Sequence, residues 1–125
     1  MLKRLCISSI WSEDLNNLLP FYRDVLGLKV GLESPGFVVL GEPLGPSVAL
    51  GTHSDVHGKA TDPARHIVAL ETDDIDAEYA RLKAQGVEFL EAPSEAGGGP
   101  VRFATFKDPE GNYLQLLEIL ATGSG

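Results

Sequence analysis

The chain is written twice. Sliding it along itself by 60 places lays CISSIWSEDL (6–15) over HIVALETDDI (66–75), so that Ile7 meets Ile67, Ser12 meets Thr72, Glu13 meets Asp73, Asp14 meets Asp74 and Leu15 meets Ile75. Sliding it by 66 lays FVVLGEPLGPSVAL (37–50) over FATFKDPEGNYLQL (103–116), pairing Phe37 with Phe103, Pro43 with Pro109, Gly45 with Gly111 and Leu50 with Leu116. Neither match needs a gap, and the loop EAPSEAGGGP (91–100) absorbs the extra residues of the second copy. Two matches in the same order at nearly the same offset mean that both halves fold into the same unit.

Each copy reads as strand, helix and three strands. The fold class is therefore α+β, built from two βαβββ modules. Strands are expected at 3–11, 28–32, 36–41, 46–52, 66–72, 87–91, 101–107 and 112–119. The first helix is expected over about 14–26, where Leu15, Leu18, Leu19, Tyr22, Val25 and Leu26 recur at helical spacing, Asp14 caps the start and Gly27 ends it. Pro20 should kink or shorten it. The second helix, DDIDAEYARLKAQG, has Asp73 or Asp74 as cap, a stripe of Ile75, Tyr79 and Leu82, and Gly86 at its end. A chain of 125 residues forms one domain, 1–125, with module one at about 1–52, a polar linker at 53–65 and module two at about 66–120.

In FKDPEGNYLQLLE (106–118), Pro109 and Gly111 mark a tight turn between two strands. Alternation then sends Leu114 and Leu116 to one face of the last strand and Tyr113, Gln115 and Leu117 to the other. One face of each sheet packs on helix. The second faces, curving toward each other, would enclose a cavity suited to a small ligand.

The formal charge of −8 argues against nucleic acid and permits a cationic ligand. No apolar run approaches the roughly 18 residues of a membrane span. The opening MLKRLCISSIW is a poor signal peptide and reads as the first strand, so a cytoplasmic location is expected. Cys6 is the single cysteine, which rules out an intrachain disulfide or a thiolate cluster. It should face the helices as an inert buried thiol.

FYRDVLGLKV (21–30), HIVALETDDIDAEYARLKAQGVEFL (66–90) and FKDPEGNYLQLLE (106–118) together resemble the vicinal oxygen chelate superfamily, which includes glyoxalase I, extradiol dioxygenases, and fosfomycin- and bleomycin-resistance proteins. The resemblance covers nearly the whole chain. It implies two βαβββ modules forming a curved mixed sheet around a cleft, helices on the outer face, and a homodimer. Metal-using members carry His, Gln or Glu at four places, two per module. Counted from the matching motifs, these places fall on Ile7, Ala49, Ile67 and Gln115. Ile and Ala offer no lone pair, and one amide oxygen cannot hold a divalent ion by itself. The expectation is thus no metal and no cofactor, as in the bleomycin-resistance proteins.

His66 adjoins one of these places, but the one-residue slip that would make it a ligand would also turn Val68 and Leu70 toward the cleft. His53 and His57 lie in a Gly/Asp/Pro-containing loop and read as surface residues. Gln115 could contact a ligand or make a structural hydrogen bond. Ser9 and Trp11 share the parity of Ile7; Trp11 is either an aromatic wall or a core tryptophan. Glu71, the repeat partner of Trp11, is either a cavity carboxylate, able to attract a cation or act as a base, or a solvated strand end. Tyr113 would add a second aromatic wall. AGGGP (96–100) lacks the phosphate-loop pattern and reads as a flap beside the cleft.

The leading expectation is a metal-free protein that binds a small organic molecule, of cationic character, through Ile7, Ser9, Trp11, Ala49, Ile67, Glu71, Tyr113 and Gln115, with sequestration of an antibiotic as the family analogy. The alternative is a glyoxalase-like metal-dependent lyase, isomerase or dioxygenase with a displaced metal site. A third reading is a regulatory or structural dimer whose cleft is vestigial.

Overall fold

The computed structural model describes residues 1, 3, 5–42, 46–95 and 100–120. Two compact units, Met1–Lys59 and Ala60–Gly125, divide the chain. The first contains β1 (Ile7–Ser12), a 3-10 turn (Leu15–Asn17), a π-helical turn (Phe21–Val25), β2 (Val30–Ser34), β3 (Phe37–Gly41) and β4 (Ser47–Thr52). The second contains a 3-10 turn (Pro63–Arg65), β5 (Val68–Glu71), α1 (Ile75–Ala84), β6 (Phe89–Glu95), β7 (Val101–Lys107) and β8 (Tyr113–Ile119). Each unit brings its own four-stranded sheet, ordered β1-β4-β3-β2 and β5-β8-β7-β6. The first strand of each runs parallel to the last, and the other pairings are antiparallel. This is an α+β fold of two βαβββ modules.

The duplication extends to single hydrogen bonds. The Asp14 N–H donates to Ser12 Oγ at 3.0 Å, and the Asp74 N–H to Thr72 Oγ1 at 3.2 Å. The Asp14 carboxylate accepts from the Asn16 N–H, and the Asp74 carboxylate from the Ala77 N–H. The Leu15 N–H donates to Thr52 Oγ1 and the Ile75 N–H to Glu118 Oε1, both at 2.9 Å. In both units the free N–H groups of the helical start are thus satisfied by a capping aspartate and by the end of the last strand.

The helices then diverge. The expected helix over 14–26 is broken into the 3-10 and π-helical turns. Pro20 has no N–H to return to the Asn16 carbonyl, so a regular ladder cannot pass through it. Beyond it the Leu26 N–H reaches back to the Phe21 carbonyl and the Leu28 N–H to the Tyr22 carbonyl, with Gly27 at φ +80° closing the end. The apolar stripe survives, with Leu15, Leu18, Leu19 and Tyr22 buried. In the second unit α1 is regular. Ile75 and Leu82 are fully buried, and Tyr79 meets Phe89 edge-on at 4.6 Å, with Phe106 a further 5.3 Å away. Burying a side chain of that size contributes about 1.5–3 kcal/mol. Arg102 of β7 makes two hydrogen bonds to Asp76 of α1, holding that carboxyl below its ordinary pKa.

Several strand boundaries move: β2 covers Val30–Ser34 rather than 28–32, and β6 covers Phe89–Glu95 rather than 87–91, running into the stretch 91–100 expected as loop. The first strand starts at Ile7 rather than 3, so Cys6 precedes the ladder and is exposed, not buried against helix. The fifth starts at Val68 rather than 66, which leaves His66 and Ile67 in the segment leading into it. The DPEGN turn is organised by buried Asp108, which accepts from the N–H groups of Glu110 and Asn112 and from Asn112 Nδ2. Of the AGGGP segment, residues 96–99 lie outside the described residues, as does the 43–45 stretch containing the repeat's Pro43 and Gly45.

Candidate functional site

In the first unit, Ile10, Leu50, Val38 and Leu40 are buried and share the face of Ser12 and Thr52, which anchor the helical start. The opposite face carries Ile7, Ser9 and Trp11 from β1. Register places them beside Ser47, Ala49 and Gly51 of β4, followed by Phe37 and Val39 of β3 and Leu32 of β2. Trp11 is 40% exposed and packs against Gly51, where an added Cβ would come 2.3 Å from Cζ3 of the indole. Only a residue without a side chain permits this approach. The Phe37 ring sits 5.9 Å from Trp11, and His53 meets it edge-on at 5.5 Å. His53 Nδ1 accepts the Asp55 N–H at 3.0 Å, which fixes the imidazole's orientation against the indole. Ser47, opposite Ile7, has a buried Oγ with no hydrogen-bond partner.

In the second unit the corresponding face carries Ala69 and Glu71 of β5, Tyr113, Gln115 and Leu117 of β8, Phe103, Thr105 and Lys107 of β7, and Glu91 of β6. One row crosses all four strands: Glu91, Thr105, Gln115, Ala69. Its polar members are joined. Gln115 Nε2 donates to Thr105 Oγ1 at 3.2 Å, and Thr105 Oγ1 donates to Glu91 Oε1 at 3.0 Å. Thr105 is 6% exposed, so this bond satisfies a hydroxyl that burial would otherwise penalise.

The residues singled out from sequence thus fall into two groups. Ile7, Ser9, Trp11 and Ala49 share one face in the first unit; Glu71, Tyr113 and Gln115 share one in the second. Ile67 is half-buried just before β5. Sequence reasoning missed Phe37, Gly51 and His53 around Trp11, and Thr105 and Glu91 beside Gln115. An isolated glycine inside an apolar strand was the available signal for Gly51. For Thr105 it was the repeat, which sets it over Val39 on the cleft-facing parity.

The donor set decides whether a family-type metal fits. Ile7, Ala49 and Ile67 present hydrocarbon, and Gln115 alone has a donor oxygen. Among the described residues, no three or more His, Cys, Asp or Glu side chains gather as a metal-holding group in either unit. These positions do not suit a divalent ion.

The model of the Glyoxalase/Bleomycin resistance protein/Dioxygenase superfamily matches residues 6–116. A Bacillus subtilis (strain 168) protein of uncharacterised role, YetH, is 25% identical over 122 residues, covering 94% of this chain and all of its own. Among solved structures, a superfamily member from Sphaerobacter thermophilus DSM 20745 is 28% identical with a TM-score of 0.74, over 94% of this chain and 98% of that one. TnmS3, an antibiotic binding protein from Streptomyces sp. CB03234, is 25% identical with a TM-score of 0.74, over 94% and 97%. With the repeated βαβββ topology and a family match across most of its length, the chain belongs to the glyoxalase/bleomycin resistance protein/dioxygenase superfamily.

Proposed function

We propose that this protein binds a small, flat organic molecule without a metal ion, sequestering rather than transforming it, with an antibiotic as the candidate class and the cytoplasm as its place of action. The observation that carries the reading is the donor set: three of the four places where metal-using relatives carry a ligand are Ile7, Ala49 and Ile67. Hydrocarbon there removes the Lewis acid on which the superfamily's lyase and dioxygenase chemistry depends; Ala49 is fully buried, and Ile7, 44% exposed, offers the apolar surface that such ligands favour. The half-exposed indole of Trp11, seated over Gly51 with Phe37 and His53 around it, supports a stacking wall for a planar ring. The net charge of −8 favours a cationic ring system over an anionic one. The likeness to an antibiotic binding protein at 25% identity supports the candidate class.

Trp11 is the chain's single tryptophan, so its emission reports on this wall alone. Titration with a panel of planar cationic and neutral compounds should give saturable quenching that survives excess chelator and is abolished in the binding isotherm of Trp11→Ala measured by calorimetry. Absence of saturable binding across the panel would count against the reading. Near-stoichiometric Ni, Zn, Mn or Fe in protein purified without chelators would turn the assignment toward a metal-dependent lyase.

A further inference from the structure

The row Glu91–Thr105–Gln115 has a fixed polarity that chemistry alone dictates. A carboxylate accepts hydrogen bonds and cannot donate, so the single Thr105 hydroxyl proton goes to Glu91 Oε1. Thr105 Oγ1 then has only lone pairs left, and Gln115 meets it with Nε2–H, because its carbonyl would face another acceptor. The carboxamide is therefore held with Oε1 turned away from the network, and no protein group among the described residues hydrogen-bonds to that oxygen.

The fold does not require this row. In the first unit the same places, by register and by the repeat, are Leu32, Val39 and Ala49. At these three places one module has hydrocarbon and the other a polar group that must be satisfied; at the fourth, on the first strand of each sheet, the order reverses, Ser9 against Ala69. Val39 and Thr105 differ only by a methyl for a hydroxyl, at positions buried in both units. A polar row that the sister module does without carries a cost in desolvation and no structural necessity.

We propose that Glu91 and Thr105 are positioning residues that lock the Gln115 carboxamide with its carbonyl oxygen outward, making this face a hydrogen-bond acceptor selective for ligands with an N–H or O–H donor, ammonium groups above all. The ligand half of this rests on the small-molecule-binding reading; the orientation of the amide does not.

Two measurements separate them. Side-chain amide NMR of ¹⁵N-labelled protein, with the Gln115 pair assigned by its loss in Gln115→Ala, should show one Nε2 proton protected from solvent exchange. Thr105→Val, the residue the sister position already tolerates, should abolish the protection while the protein stays folded by circular dichroism. Thr105→Ser should restore it, and Glu91→Gln should weaken it. An unprotected Nε2 in the wild type, or protection unchanged in Thr105→Val, overturns the proposal. The second arm titrates benzylammonium against benzyltrimethylammonium, which keeps the ring and the charge and removes every N–H donor. The wild type should prefer benzylammonium by about tenfold, the scale of one charge-assisted hydrogen bond, and Thr105→Val should lose that preference. Tighter binding of the trimethylated probe overturns donor selection. Failure of both probes to bind, with protection intact, overturns donor selection and the small-molecule reading at this face, while the locked amide stands.

Discussion

At the scale of single residues, the contact between Trp11 and Gly51 is the most sensitive point in the first unit. An alanine Cβ at Gly51 would lie 2.3 Å from Cζ3 and 2.7 Å from Cε3, both inside any permitted separation. The indole must leave, since the backbone of β4 is held by strands on both sides. Gly51→Ala should cost about 1–3 kcal/mol by overpacking, read by urea denaturation, and should red-shift the single tryptophan's emission as the ring moves into water. Emission unchanged from wild type would refute the seating of Trp11. Much of this face was legible from strand parity, which set Ile7, Ser9 and Trp11 together and Tyr113 beside Gln115. What parity could not supply was register. Gly51 and Phe37 meet Trp11 from neighbouring strands, and His53 comes from the segment after β4. Glu91 was hidden for a related reason: β6 shifts register on both sides of it, so no even spacing connects it to Thr105.

At the scale of elements, the two helical starts provide a matched pair of tests. Asp14 and Asp74 cap equivalent positions, Asp14 by accepting the N–H two residues on and Asp74 the N–H three residues on, and one opens a broken helix and the other the regular α1. Removing either carboxylate leaves an N–H to water, at a cost of about 1 kcal/mol. Asp74→Ala should therefore lower the urea midpoint by the amount that such a loss predicts. Asp14→Ala should cost no more, since the 3-10 turn it caps propagates no further ladder past Pro20. A larger loss for Asp14→Ala would mean that the first helical segment is more cooperative than its hydrogen bonds indicate. Caps and stop signals were readable because they are local: Asp74 before a run of helix formers, Gly27 and Gly86 at positive φ. The break was half-readable. Pro20 announced an interruption, but whether the chain would kink or split into 3-10 and π geometry depended on keeping Leu15, Leu18, Leu19 and Tyr22 in the core, which is a tertiary demand.

At the scale of the whole molecule, duplication followed by divergence explains why the two units present different chemistry on the same scaffold. Each sheet covers one face with its own helical element. On the other face, the first unit leaves Ile7 44% and Leu32 56% exposed alongside Trp11. Apolar side chains grouped on one sheet face are a liability in water unless a ligand or another chain covers them. On its corresponding face the second unit carries the satisfied row from Glu91 to Gln115. Exposed Leu32 lies on β2, an edge strand with every residue exposed, where a second copy could also add cover. We therefore expect a homodimer: sedimentation equilibrium at micromolar concentration should return twice the chain mass, and Leu32→Glu, which places a charge among these apolar groups, should weaken either association or quenching by ligand. A species of single-chain mass at all concentrations would remove the dimer from this account. The exposed face of the first unit would then be left to the ligand alone, and Leu32→Glu would be expected to act on binding without changing mass.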